Sequence, residues 1–230
     1  MQLQPIGVVQ SPFDEKFAVP RQPRLIKHGT AVLRLTGEAG HPDTVRGLEA
    51  FSHLWLLFCF HEHLDKGWKP LVRPPRLGGN AKVGVFASRS TFRPNPIGLS
   101  LVELKAVHAD PKGAWLELGA VDLVDGTPIL DIKPYIPYAD ALPHARAGYA
   151  SEAPPAPLAV AWSAEARQQL RALKGLAADF PLLVEEVLAQ DPRPAYQSDP
   201  ERVYGVGLCG HNVRFRVAGD QCLVVALERP

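Results

Sequence analysis

Proline limits what this chain can fold into more than any other residue type, since it occupies 23 of the 230 positions. That is about twice the average share in proteins. Proline in a helix interior removes a hydrogen bond and clashes with the preceding turn, so long helices are disfavoured over most of the chain. Between residues 5 and 138, short apolar or alternating segments end at Gly and Pro, which predicts β-strands at residues 6–9, 30–35, 52–60, 83–87, 99–107 and 115–121.

The spacing of these segments, with turn signals between them, predicts a β-barrel or a β-sandwich. Residues 151–157 (Ser-Glu-Ala-Pro-Pro-Ala-Pro) predict an extended linker or a domain border. The character of the chain then changes, because residues 163–176, with Ser163 as N-cap, and residues 181–190 predict two helices. Strands at 203–208, 212–217 and 223–227 follow. We therefore expect a mainly β protein in which a β domain precedes a small α+β domain.

Composition excludes several classes of protein. The 25 Lys and Arg balance 24 Asp and Glu, so binding to nucleic acid would need a local basic patch rather than bulk charge. The three cysteines, Cys59, Cys209 and Cys222, are too few and too scattered for a disulfide framework or a four-cysteine zinc site, which suits a reducing cytosol. The sequence shows neither a signal peptide nor an apolar run of the roughly 20 residues that a membrane helix needs. We expect a cytoplasmic protein with no membrane association.

A proline-stiffened loop at residues 17–24 presents Arg21, Gln22 and Arg24. Forked donors on a stiff loop suit a carboxylate or a phosphate. The alternative is a solvated surface loop.

His61, Glu62 and His63 directly follow the apolar strand at 52–60, and a strand end is a common place for a site. Two histidines on one short segment offer at most two metal ligands, and no third ligand is evident from spacing. We therefore predict no metal site. His61 either hydrogen-bonds a ligand or is a structural histidine.

Arginine is concentrated at residues 73–98, a segment rich in Gly and Pro that contains Arg73, Arg76, Arg89 and Arg93. Phe86 and Phe92 of the same segment add aromatic faces. Cations interleaved with aromatic rings are typical of surfaces that bind RNA loops with unstacked bases. The alternative is a structural corner with solvated arginines.

Carboxylates and proton-exchanging groups cluster at residues 122–135. Asp125-Gly126 predicts a turn, and in the strand that follows it Asp131, Lys133 and Tyr135 share one face. The alternative is an exposed, salt-bridged strand face. Glycine-rich nucleotide loops and the serine hydrolase elbow are absent from the sequence.

Six long stretches together resemble one known family. They are IGVVQSPFDEKFAVPRQP, DTVRGLEAFSHLWLLFCFHEH, WKPLVRPPRLGGN, GVFASRSTFRPNPIGLSLVEL, LVDGTPILDIKPY and EEVLAQDPRPAY. The chain resembles the TrmO family (TsaA-like, YaeB-like) of bacterial S-adenosylmethionine-dependent tRNA methyltransferases. The stretches cover most of residues 5–140 and reach into the C-terminal part.

The resemblance implies an N-terminal single-sheet β-barrel that binds the cofactor, at residues 1–145, a C-terminal α+β domain at residues 155–230, and a homodimer. It implies N6-methylation of N6-threonylcarbamoyladenosine beside the anticodon of a threonine tRNA. The cofactor-binding residues that it implies are Pro20, Arg21, Gln22, His61, Glu62, Arg89, Leu99, Asp122, Leu123, Val124 and Asp125. Glu62 stands where the family commonly has Gln.

We assign Asp131, Lys133 and Tyr135 to catalysis at the urea-like nitrogen of that substrate, which is a poor nucleophile because its lone pair is delocalised. Arg73, Arg76 and Arg93 are assigned to tRNA. Two alternatives stay open at this point. One is a non-catalytic tRNA-binding module with a vestigial cofactor site, and the other is a metal-dependent hydrolase built on His61, Glu62 and His63.

Overall fold

The computed structural model describes residues 2–78, 80–152, 158–193 and 199–229. Its N-terminal part contains a closed six-stranded barrel with the strand order β1-β2-β7-β6-β3-β8. The strands of this part are β1 Gly7–Gln10, β2 Thr30–Leu35, β3 His53–Cys59, β4 Leu71–Val72, β5 Val83–Gly84, β6 Ile97–Asp110, β7 Gly113–Ala120 and β8 Pro128–Pro134. The predicted mainly β class is confirmed, and the sheet is a barrel rather than a sandwich.

Alternation along β3 separates the barrel interior from its outer face. Leu54, Leu56 and Phe58 are buried, and each contributes about 1.5–3 kcal/mol through loss of apolar surface from water. Gly98 lies opposite Phe58, and a Cβ atom at position 98 would lie 2.2 Å from the Phe58 ring. Only glycine therefore leaves room for this ring inside the barrel.

Short turns rather than long helices connect the barrel strands, as the proline content predicts. The connections contain the 3-10 turns Pro23–Leu25, Gly37–Gly40, Pro42–Val45, Leu48–Ala50, His61–Lys66, Pro75–Leu77 and Val85–Ala87. The single-turn helix α1 Pro137–Asp140 and the 3-10 turn Gly148–Ala150 follow β8, the last barrel strand. The strand predicted at 83–87 is wrong beyond Gly84. Only Val83 and Gly84 pair, with β4, and the chain then turns so that Val85 is buried.

The C-terminal part contains a four-stranded sheet with the order β10-β11-β12-β9. Its elements are β9 Ala159–Trp162, α2 Ala164–Ala172, α3 Phe180–Ala189, β10 Tyr204–Leu208, β11 His211–Ala218 and β12 Gln221–Glu228. Ser163 caps α2 as predicted, since its hydroxyl accepts from Ala166 N at 3.0 Å. The small α+β character of this part is confirmed.

The chain forms two compact units, and each unit contains three separate stretches of the sequence. The first contains Met1–Val9, Val32–Leu118 and Thr127–Pro154, and the second contains Gln10–Ala31, Gly119–Gly126 and Pro155–Pro230. The domain boundaries inferred from sequence, 1–145 and 155–230, stay a prediction. Residues 153–157 of the predicted linker lie outside the described residues. No helix in the described part of the chain is both long and apolar enough to cross a membrane.

Candidate functional site

A cavity of about 300 Å³ lies in the second unit, between the loop Lys16–Arg21 and the C-terminal end of α3. Pro20 and Arg21, two of the predicted cofactor-binding residues, line it together with apolar neighbours such as Phe17 and Val187. Gln22 follows directly, and its side-chain amide donates to the Arg21 carbonyl oxygen. A volume of this size falls at the lower end of small-ligand pockets. The loop therefore forms one wall of a pocket rather than a featureless surface.

The opposite wall of this cavity, at the end of α3, was not assigned from sequence. Gln190 and Asp191 line it, and Asp191 adopts a φ of 47°, which turns the chain away from the helix. Both oxygens of Asp191 accept from Arg193, at 2.8 Å from Nε and 2.9 Å from Nη2. This pairing raises the pKa of Arg193. The sequence signal that could have identified this wall is an Asp-x-Arg pair directly after the end of a helix.

The predicted cofactor segment Asp122–Asp125 is fixed to residues 11–13 of the same unit. Ser11 N donates to Asp125 Oδ1 at 2.9 Å, and Ser11 Oγ donates to the Leu123 carbonyl oxygen at 2.7 Å. Leu123 has a buried side chain, so only backbone atoms of this residue could meet a ligand. Val124 and Asp122 are half-buried beside it.

Asp14 lies close enough to Asp125 for their charges to interact. Burial raises the pKa of Asp14, the neighbouring Asp125 charge raises it further, and the hydrogen bond from Gly210 N opposes both. The segment 122–125 therefore lies in a locally acidic environment, which suits a ligand with a cationic group.

In the first unit, three barrel strands bring predicted residues together on the outer face. Leu57 of β3 pairs with Leu99 on one side and with Asp131 on the other. Trp55 lies two residues before Leu57 on the same face of β3, and it pairs with Leu101 and Lys133. Leu99, predicted to bind the cofactor, and Asp131, predicted to be catalytic, thus flank the same residue.

The three predicted catalytic side chains lie near one another on this face. Lys133 Nζ lies 3.0 Å from Asp131 Oδ2. Tyr135 follows β8, and its ring makes a T-shaped contact with Trp55, with the ring centroids 6.0 Å apart. Trp55 is itself held, because its Nε1 donates to Asp140 Oδ2 at 3.1 Å. Two of the three side chains thus form an ion pair, and the third contacts Trp55, the strand partner of Lys133, whereas the catalytic roles stay predictions.

His61 and Glu62 begin the 3-10 turn that follows β3, and Arg89 lies in the exposed loop before β6. Phe60 N donates to the Pro96 carbonyl oxygen at 2.8 Å, which ties the start of the turn to the chain before β6. Across the described ranges, no group of three His, Cys, Asp or Glu side chains is arranged to hold a metal ion. That the reaction uses no metal stays a prediction.

The predicted tRNA-binding arginines differ in their exposure and in their hydrogen bonds. Arg73 and Arg76 are exposed, and Arg76 Nη2 donates to the Glu152 carbonyl oxygen. Arg93 is half-buried and donates from Nη1 to the carbonyl oxygens of Ser88 at 2.8 Å and Val85 at 3.3 Å. Its guanidinium carbon lies 5.7 Å from the centroid of the Phe86 ring.

The cysteines offer no activated nucleophile. Burial raises the pKa of Cys209 to about 11 and that of Cys222 to about 12, and it also raises the pKa of Cys59. Because the thiolate is the reactive form, all three thiols are poor nucleophiles near neutral pH. Covalent catalysis by cysteine is therefore disfavoured.

Both parts of the chain match known protein families. The tRNA-methyltransferase O N-terminal domain matches residues 8–141, and the TrmO C-terminal domain matches residues 155–230. Together these two matches span nearly all of the sequence.

Relatives agree with these matches. A tRNA (adenine(37)-N6)-methyltransferase of Escherichia coli (strain K12) is 56% identical over 229 residues, which are 99% of this chain and 97% of that protein. A Pseudomonas aeruginosa protein named as an S-adenosylmethionine-dependent methyltransferase is 50% identical over 92% of this chain and 90% of its own length. The crystal structure of TrmO from Pseudomonas aeruginosa superposes with a TM-score of 0.79 at 40% identity, covering 99% of this chain and 97% of that one.

Proposed function

The chain belongs to the TrmO family, and from that membership we propose that it methylates N6 of N6-threonylcarbamoyladenosine at position 37 of threonine tRNA. Membership in this family makes the chain an S-adenosylmethionine-dependent tRNA (adenine(37)-N6)-methyltransferase. The threonylcarbamoyl group and the threonine tRNA are the proposal. The observation that carries it is the group of Asp131, Lys133 and Tyr135 on the outer barrel face.

The residues available for the cofactor suit its chemistry. S-adenosylmethionine carries an α-carboxylate, an α-ammonium and an adenosine, and it supplies an electrophilic methyl group. We propose that Arg21 or Arg89 holds the carboxylate and that Asp122 or Asp125 holds the ammonium or a ribose hydroxyl. The pocket wall formed by Pro20 and Arg21 supports the first assignment, and the acidic surroundings of Asp125 support the second. Gln22, His61, Glu62, Leu99, Leu123 and Val124 complete the proposed set.

A carbamoyl substituent on adenine would give Asp131, Lys133 and Tyr135 a specific function. The N6–carbon bond forms as the bond between the methyl group and the sulfonium breaks, S-adenosylhomocysteine leaves, and the N6 proton passes to a base or to water. N6 is a poor nucleophile for this step, because its lone pair is shared with the neighbouring carbonyl. Lys133 or Tyr135 would donate to the ureido oxygen and fix the substituent, while Asp131 orients Lys133. An unmodified adenine has no such oxygen, so these side chains would have nothing to hold. This is why we favour the threonylcarbamoylated base as substrate.

The arginine segment supports tRNA binding. From Lys66 to Arg93 the sequence contains seven cations and no acidic residue, although the whole chain has 25 cationic and 24 acidic residues. The seven are Lys66, Lys69, Arg73, Arg76, Lys82, Arg89 and Arg93. A local field of this kind attracts a polyanion without a large net charge.

The double change Arg73→Gln and Arg76→Gln is expected to raise the Michaelis constant for tRNA and to flatten its salt dependence. Each phosphate contact contributes about 0.7 to 0.9 to the slope of log affinity against log salt, so losing two contacts should flatten the slope by about 1.5. Methylation is measured at several salt and tRNA concentrations. A lower turnover at saturating tRNA with an unchanged slope would contradict the assignment and move these arginines into the reaction centre.

We further propose a cytoplasmic homodimer. The outer barrel face supports association, because Leu99 and Ile97 remain 52% and 37% exposed beside Leu57 and Cys59. Exposed apolar side chains next to one another on one face of a sheet suit an interface with a second chain. Sedimentation equilibrium should give twice the chain mass of 25.1 kDa, and a mass of one chain at assay concentrations would contradict the dimer.

Transfer of labelled methyl from S-adenosylmethionine into total tRNA separates the proposal from a non-catalytic tRNA-binding module. We expect tRNA to become labelled, with calorimetry showing one cofactor site per chain. Binding of tRNA with neither cofactor binding nor label would favour the non-catalytic module. Stoichiometric zinc lost together with activity on chelation would favour metal-dependent chemistry.

A further inference from the structure

Phe86 is an apolar ring held out in solvent by a well-anchored turn. It is 77% exposed, although its neighbour Val85 is 2% exposed and fixes the turn Val85–Ala87. Val85 N donates to the Pro70 carbonyl oxygen at 3.0 Å, and Ser88 Oγ donates to the Val85 carbonyl oxygen at 2.8 Å. The ring is therefore displayed by a fixed backbone.

Arg93 supports this ring. Its guanidinium, 5.7 Å from the ring centroid, is itself fixed by the carbonyl oxygens of Ser88 and Val85. A cation against an aromatic ring attracts it electrostatically and fixes its orientation. With 77% of Phe86 still exposed, the supported ring is open to a second flat partner. Phe92 differs, because it is half-buried between Lys69 and His63.

The surroundings select the class of partner. Phe86 lies within the segment Lys66–Arg93, which has seven cations and no acid. Tyr149 adds a further aromatic side chain nearby, since its hydroxyl donates to the Ala87 carbonyl oxygen at 3.2 Å. A flat ring among cations suits the unstacked base of a single-stranded polyanion.

A second copy of the chain is a poorer partner for this surface. In a two-fold symmetric dimer whose axis passes through this segment, the same cations of the two subunits would face one another. Like charges opposed across an interface disfavour association. The charge of the segment thus favours RNA over self-association at Phe86.

We propose that Phe86 is a base-stacking platform for an unstacked nucleotide of the tRNA anticodon loop, and that Arg93 is the residue that positions it. This inference rests on the proposed function, because it requires tRNA as the partner. It gives Arg93 a role different from the phosphate contacts proposed for Arg73 and Arg76, which are exposed residues.

The test compares tRNA affinity for full-length wild type and Phe86→Ala. Stacking of one base contributes about 1–3 kcal/mol, so Phe86→Ala should weaken tRNA binding by about 5- to 150-fold. Phe86→Trp should retain wild-type affinity, whereas Phe86→Leu should behave as the alanine variant does. Leu71→Ala is the matched control, because Leu71 is an exposed apolar residue, 54% exposed, in the same basic segment. Cofactor affinity should be the same for all of these proteins.

Arg93 is tested through Phe86. Arg93→Gln should lower tRNA affinity in the wild-type background and have little further effect when Phe86 is already alanine. Additive effects of the two changes would overturn the positioning role. Wild-type affinity of Phe86→Ala, or equal affinity of the leucine and tryptophan variants, would overturn stacking.

Two outcomes distinguish this inference from the function on which it rests. If wild type methylates tRNA and Phe86→Ala binds tRNA equally well, stacking is overturned while the function stands. If wild type binds no tRNA, both are overturned. A Phe86→Ala protein that changes from dimer to monomer in sedimentation would assign the ring to a second copy instead.

Discussion

Replacing Arg89 with alanine is expected to weaken S-adenosylmethionine binding by about 10- to 150-fold, the loss typical of one charge-assisted hydrogen-bonded pair of about 1.5–3 kcal/mol. The local structure would allow an arginine on an exposed loop to bind the cofactor this firmly. The serine on each side of it accepts from a backbone N–H two residues on, Ser90 N to Ser88 Oγ at 3.3 Å and Phe92 N to Ser90 Oγ at 3.2 Å. These turns hold the loop backbone before the ligand arrives, so little ordering entropy is lost on binding.

Calorimetry with S-adenosylmethionine measures the effect of Arg89→Ala directly. Arg89→Lys should give an intermediate affinity, since it keeps the charge and loses the planar fork. Arg167→Ala, which removes an exposed arginine on α2, is the control and should bind as wild type does. An Arg89→Ala protein with wild-type affinity would remove Arg89 from the cofactor site.

Replacing Lys133 with alanine is expected to lower turnover by about 100-fold or more, because a positioned proton donor or polarising group typically contributes 100- to 10,000-fold. Affinities for tRNA and for the cofactor should change little, since the assigned contact is to the reacting urea. Tyr135→Phe should lower turnover as well. The comparison is made at saturating tRNA and cofactor, so that chemistry rather than binding limits the rate.

Lys105→Ala provides a matched control for Lys133→Ala. Lys105 pairs with Glu103 at 2.8 Å, two residues away on the barrel strand β6, just as Lys133 pairs with Asp131 at 3.0 Å on β8. Both ion pairs are exposed, and such pairs contribute about 0–1 kcal/mol to stability. The two variants should therefore be equally stable, and only Lys133→Ala should lose turnover. Equal activities would reduce the Asp131–Lys133 pair to a solvated strand face.

The barrel strands could be predicted because short apolar or alternating segments end at Gly and Pro. The inner face of β3 could not be derived from sequence, because Trp55 and Leu57 on the outer face are as apolar as Leu54 and Leu56 inside. The cap of α2 was predictable because Ser163 acts through a contact three residues away. Local periodicity and local hydrogen bonding are properties that a sequence displays directly.

Elements that depend on distant partners could not be derived in this way. β9 is four residues long and follows a run of prolines, and it is a strand because it pairs in parallel with β12 about 60 residues later. Val85 is apolar like a strand residue, but it is the buried first residue of the 3-10 turn Val85–Ala87. In both cases tertiary contacts overrode local preference.

The candidate site shows the same division. The sequence placed Asp131 and Lys133 on one face of a strand, but the cross-strand row that joins Asp131 to Leu57 and Leu99 depends on register across three strands. Arg93 could be identified as one of several arginines in a basic segment. Its hydrogen bonds to two carbonyl oxygens, which fix it against Phe86, are visible only in the folded chain.

The most direct measurement identifies the methylated nucleoside. Threonine tRNA with and without the threonylcarbamoyl group at adenine 37 is incubated with the protein and labelled S-adenosylmethionine, digested, and separated by chromatography coupled to mass spectrometry. We expect label only in the threonylcarbamoylated tRNA, in N6-methyl-N6-threonylcarbamoyladenosine. Equal labelling of unmodified adenine, or label at any other nucleoside, would contradict the proposed substrate and the role assigned to Asp131, Lys133 and Tyr135.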